Sequence, residues 1–220
     1  MSISWSGNAT TLFNLAKFAV QQIAKKEPPE RHPSHGEAIF AIVFSAMTLE
    51  AFINEAADIA AFPAPSGHPA HHPSVVMFAA IAKELRGSKI SVRAKFLLAR
   101  LVFAGQPYDK GSLPYQDFHL LIGLRNTLVH MEGLDITETT PAGEVIANQP
   151  EIIEKLRTRG ILAEPTLTGL WMERIATLET ARWACNTVTA MYQSLVDVIP
   201  DEDFKNRLAS SYGFYFQPVH

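Results

Sequence analysis

Between Tyr115 and Glu132 the chain reads YQDFHLLIGLRNTLVHME. Six consecutive residues there hold a guanidinium, an amide and an imidazole: Arg125, Asn126 and His130. Histidine gives and takes protons near neutral pH. Arginine carries a permanent charge on a planar fork of donors that suits phosphate oxygens. Polar groups on an otherwise apolar helix are costly unless they are paired or used. No Asp/Glu pair, Cys or Ser stands close by to suggest a protease or a glycosidase. Neither a Gly-rich phosphate loop nor a compact metal motif is present. The set best serves a metal-free reaction at a phosphodiester. RNA brings its own 2′-OH nucleophile, so the protein need supply only a proton carrier and a charge stabiliser.

Helical geometry constrains how these groups can meet. Asn126 and His130 are four apart and share a face, whereas Arg125 and His130 stand about 140° apart on an ideal helix. Either Arg125 curls back, or the helix is distorted, or a second copy of the chain completes the site. Gly123 lies on the Asn126 face, where it costs helix stability but permits another helix to approach closely. Glu50 and Asn54, also four apart, form a short polar stripe on a strongly apolar segment. They are candidates for orienting Arg125 or His130. The alternative is a buried Glu50–Arg125 ion pair, with Asn126 and His130 as satisfied core groups.

The positioning elements follow from apolar spacing and punctuation. Asn8 to Lys26 reads as a helix with Leu12, Leu15, Phe18, Ala19 and Ile23 on one stripe, ended by Pro28 and Pro29. His35 to Ala61 is apolar nearly all round, as a central helix should be. Ser74 to Arg86 and Ile90 to Phe103 are two further helices, and Gly105 to Pro114 is a loop. The Arg125 helix starts after Pro114 and ends near Gly133. Residues 133–149 form a loop insertion or short hairpin. Pro150 to Arg159 is a short helix stopped by Gly160. A long helix runs from Thr166 or Thr168 to about Val198, with Leu170, Ile175, Leu178, Ala181, Ala184, Val188, Met191 and Leu195 on its stripe. Asp201 to Ser210 adds one more helix, and the aromatic tail 211–220 packs back or meets a partner. No strand-period stretch exceeds a few residues. The expected class is all-α, a helical bundle in one domain spanning 1–220.

Composition narrows the function classes. At 47% hydrophobic the chain is not disordered. Its net charge of -3 excludes a global basic field for nucleic acid. The run from Ala38 to Leu49 falls short of the ~20 residues of a membrane span, and no signal peptide is visible. A cytoplasmic protein is expected. Cys185, the one cysteine, reads as a small buried hydrophobe. His68, His71 and His72, with His32 and His35, fit no compact ligand spacing, so a solvated loop is expected there and no metal. No cofactor is implied. From Lys83 to Lys110 the charge is locally reversed. Lys83, Arg86, Lys89, Arg93, Lys95, Arg100 and Lys110 face only Glu84 and Asp109. Such a run is either a solvated helix face or a phosphate-facing, RNA-binding surface.

Arg125-Asn126, three residues and then His130, on a late helix of an α-bundle, resembles the Arg-x4–6-His motif of the HEPN superfamily. SAMTLEAFINEAADI (Ser45 to Ile59) is similar to an early helix of bacterial HEPN proteins. Lys95 to His130 is similar to the helix–loop–helix that leads into the motif. One departure is Met131-Glu132-Gly133 after the histidine, where many members carry Gly or an aromatic. The resemblance implies a HEPN-like bundle of four to five core helices plus extra helices. It implies a metal-independent endoribonuclease of the toxin–antitoxin or antiviral-defence kind, working as a homodimer across a shared cleft. An antitoxin or other regulatory protein is then a partner class. On that reading Arg125 binds the scissile phosphate, His130 is the acid/base and Asn126 orients the phosphate or His130. The alternative is a non-catalytic HEPN-like interaction or RNA-binding module.

Overall fold

The structure is a computed structural model that describes residues 7–26, 36–63, 70–130, 150–162 and 171–220, with the backbone alone of 136–139 and 145–148. Pro28, Pro29, His32, His35, His68, Met131, Glu132, Gly133, Thr166, Thr168 and Leu170 lie outside the described residues.

Helix α2 (Gly36–Ala61) is the element on which the others assemble. It packs against α1 (Asn8–Lys26), α3 (Pro73–Leu85), α4 (Val92–Ala104), α5 (Tyr115–His130), α8 (Leu178–Val196) and α9 (Glu202–Leu208). Its apolar residues explain this, because Ala41, Ile42, Leu49, Phe52 and Ile53 all vanish into the core. By length and composition α2 would pass for a membrane span, contrary to the short run read from sequence. Half of that apolar window is nonetheless buried inside the protein.

The all-α class holds. The departure among the described residues is a small antiparallel hairpin, β1 (Ile136–Thr139) with β2 (Val145–Asn148), pairing Ile136 with Asn148. It falls in the stretch expected to be a loop or hairpin.

Two expectations need correction. The stripe on α1 is rotated, since Phe13, Ala16, Val20 and Ile23 are buried while Leu15 and Phe18 are exposed, Phe18 by 58%. Phe13 wins the core position because its ring meets Phe216 edge-on, 5.0 Å between centroids. The long C-terminal helix is two, α7 (Trp171–Ile175) and α8. Thr177 makes the break: its backbone is extended and its hydroxyl accepts from the Thr180 N–H, capping α8. The expected stripe is otherwise buried from Ile175 to Leu195.

The short helix α6 (Glu151–Thr158) ends as expected at Gly160, whose φ of 69° is left-handed. Asp201 caps α9 through the Phe204 N–H, and a single π-helical turn (Ala209–Gly213) follows. The tail packs back. Tyr212 and Phe216 are buried and ring Phe52 together with Tyr192.

Candidate functional site

Helix α5 is regular α-helix through His130, so no distortion brings Arg125 to the histidine. Its buried face is Phe118, Leu121, Ile122, Leu124 and Leu128. Arg125 stands at the edge of that face and is half-buried. Its Nη1 donates to Asn126 Oδ1 at 3.1 Å. The guanidinium thus curls toward the residue four before His130, on the histidine's side. His130 is exposed, and so is its neighbour Val129, at 48%.

Glu50 and Asn54 do not support this pair by any bond. Both lie on the exposed side of α2, not in its buried stripe. Asn54 Oδ1 accepts from Lys95 Nζ at 2.9 Å. No hydrogen bond or ion pair joins Glu50 or Asn54 to Arg125 or His130 among the described residues. The stripe misleads because Glu50 and Asn54 lie on a side of α2 that faces solvent, not in its buried stripe.

The basic run is not one surface. Arg86 pairs with Asp58, and with Lys95 and Asn54 it rims a cavity of about 340 Å³ floored by Ile53, Phe78 and Leu98. Arg100 donates to the Ser194 carbonyl at 3.1 Å and lies over the Tyr108 ring, 4.6 Å from its centroid. Lys83 and Lys89 are exposed. Arg93 points the other way, toward α5, and its Nη2 donates to the His119 carbonyl at 2.8 Å.

Arg93 and His119 border a trough that the spacing of its cations in the sequence does not announce. A cavity of about 630 Å³ lies between α4, α5 and α6, lined by Arg93, Lys110, Tyr115, His119, Lys155 and Arg159, among others. A second cavity of about 420 Å³ shares Arg93, His119 and Lys155 and runs on past Gly123 to Thr127. Gly123 makes this approach possible. A Cβ there would meet Ile152 Cδ1 of α6 at 3.3 Å and Arg93 Nη2 at 3.4 Å. Partial burial first, then Arg93, Lys155 and Lys110, hold the His119 imidazole below its ordinary pKa. The signal was present in the spacing: His119, Asn126 and His130 recur at seven and four residues, close to one line on the helix.

His71 and His72, the described histidines of this loop, make structural contacts. His72 caps α3 by accepting from the Ser74 N–H, and its backbone N–H donates to Asp201 at 2.7 Å. His71 Nδ1 lies 3.5 Å from Asp201, and with Asp203 these two bring one ligand atom each within 4.8 Å of one another. Those carboxylates already have work: Asp201 caps α9 and Asp203 pairs with Arg207 at 2.7 Å. Burial alone would raise Asp201. The Phe204 and His72 N–H groups and His71 instead hold it below the usual carboxylate value. Cys185 is fully buried, and desolvation pushes its thiol up to about 11, which suits a packing residue.

Comparison with family models, with curated proteins and with solved structures finds no match to this chain.

Proposed function

We propose that the chain is a metal-independent endoribonuclease of the HEPN kind, acting as a homodimer whose two α5 helices share a cleft. The observation that carries this reading is the openness of the motif. His130 is exposed, and Arg125 holds only Asn126 among the described residues. Arg125 is therefore not spent on Glu50, which a purely structural cluster would require. The exposed Val129 beside His130 gives the facing helices an apolar contact.

In the reaction, the 2′-oxygen gives its proton to an imidazole as it attacks phosphorus. The bond to the 5′-oxygen breaks, and that oxygen takes a proton. The products are a 2′,3′-cyclic phosphate and a 5′-hydroxyl. One His130 from each protomer serves the two proton transfers. Arg125, steadied by Asn126, stabilises the charge that grows on the phosphorane oxygens. A role in toxin or defence systems rests on the family resemblance alone.

The test is incubation with single-stranded RNA in EDTA, beside His130→Ala and Arg125→Ala. Cleavage by the parent with cyclic-phosphate ends, lost in both variants, is expected. Equal absence of cleavage in all three proteins sinks the enzyme and leaves the non-catalytic module. That second reading draws on Arg125 being half-buried and already bonded to Asn126.

A further inference from the structure

The trough between α4, α5 and α6 collects positive charge in a chain whose net charge is -3. Four cations line it, Arg93, Lys110, Lys155 and Arg159, against two carboxylates, Glu151 and Glu154. Most of the compensation is local. Lys155 pairs with Glu151 at 2.8 Å, Glu154 pairs with Arg157, and Arg159 holds Asp117 at 2.8 Å. Arg93 and Lys110 are left with no carboxylate partner among the described residues. Arg93 also keeps its Nε buried without a hydrogen-bond partner, while its Nη2 is anchored on the His119 carbonyl. A guanidinium fixed at the trough without a carboxylate partner, beside an unpaired Lys110, favours a ligand that brings negative charge.

The shape narrows the ligand. The two cavities adjoin along α5 and share Arg93, His119, Leu120, Glu151 and Lys155. The His119, Gly123 and Thr127 side of α5 forms one wall, and Asn126 and His130 lie on that same side. From His119 to His130 the helix rises roughly 16 Å. The lining of the cavities follows α5 from Tyr115 to Thr127, short of His130, and an open trough of that length suits a strand better than a compact ligand.

We propose that the trough between α4, α5 and α6 binds the phosphate backbone of single-stranded RNA and leads it along α5 to His130. The choice of RNA rests on the ribonuclease reading, while the anion preference stands on the trough's own charge. Lys110 and Lys155 are exposed and contact phosphate from the rim, and Arg93 contacts it from the floor. Lys83, Arg86, Lys89, Lys95 and Arg100 are not part of this path.

The experiment measures binding of a labelled single-stranded RNA to His130→Ala protein across a salt series. Lys110→Gln and Lys155→Gln are added singly, each checked by thermal melting against the same background. Each substitution is expected to weaken binding about fivefold near 0.1 M salt and to flatten the salt slope by about 0.7. RNA binding whose salt slope neither lysine alters overturns the trough and leaves His130-dependent cleavage untouched. A flattened slope in a protein whose parent cleaves no RNA keeps the trough and removes the ribonuclease. Saturation by a free mononucleotide with no RNA binding overturns the strand proposal, and no RNA binding at all overturns both.

Discussion

His119 connects the trough to pH. Partial burial, Arg93, Lys155 and Lys110 all favour its neutral ring, and Tyr115, Glu151 and Glu154 line the same trough. The folded protein therefore takes up this proton less readily than the unfolded chain. The stability this contributes is complete above the ordinary imidazole value of 6.5 and is lost as pH falls through the lowered one. A phosphate in the trough acts in the opposite sense and draws the proton on. By NMR, the His119 midpoint is expected below 6.5 in the free protein and higher with RNA bound. A midpoint that RNA does not move would remove phosphate from the vicinity of this ring. At this scale the sequence was a partial guide. Arg125, Asn126 and His130 were visible because polar groups stand out on an apolar helix. Lys155 was not, because only the tertiary approach of α6 to Gly123 brings it to α5. Glu50 and Asn54 were misplaced because period alone shows that two residues share a face, not whether that face is inside.

Helix boundaries were legible wherever a residue type dictates the backbone. Gly160 ends α6 in the left-handed region, and Asp201 starts α9 by accepting from Phe204 at 2.9 Å. The break between α7 and α8 was not legible, because threonine is tolerated inside helices and caps them only when its backbone is extended. Thr177→Ala should remove the bond to the Thr180 N–H, 3.2 Å long, and cost about 1 kcal/mol. Urea unfolding should show a lower midpoint at unchanged slope. A midpoint equal to the parent's would mean that α8 does not depend on this cap.

The molecule as a whole is held by aromatic rings drawn from distant parts of the chain. Phe52 of α2 meets Phe96, Tyr192, Tyr212 and Phe216. Tyr212 also donates to Glu55 Oε2 at 2.9 Å, and Glu55 Oε1 accepts from the Ala9 N–H at 3.2 Å. One carboxylate thus ties the start of α1 to the segment after α9. The all-α class could be read from periodicity, yet this closure could not, since nothing in SYGFYF says which rings turn inward. Phe214 in the same run is 83% exposed. Stopping the chain after residue 210 removes Tyr212 and Phe216 together. That protein is expected to lose its cooperative thermal transition, whereas a melt like the parent's would mean the rings are dispensable.

The ring of Phe216 has a consequence for the order of synthesis. Until residue 216 has left the ribosome, Phe13 and Phe52 have been made but lack one of the rings that cover them. α2 then stands with an apolar face open, a species prone to aggregate or to be held by a chaperone. Arg125 and His130 are translated well before that point but have no finished scaffold under them. Any activity that needs Arg125 and His130 on a finished scaffold would therefore appear only after the aromatic cluster has been made.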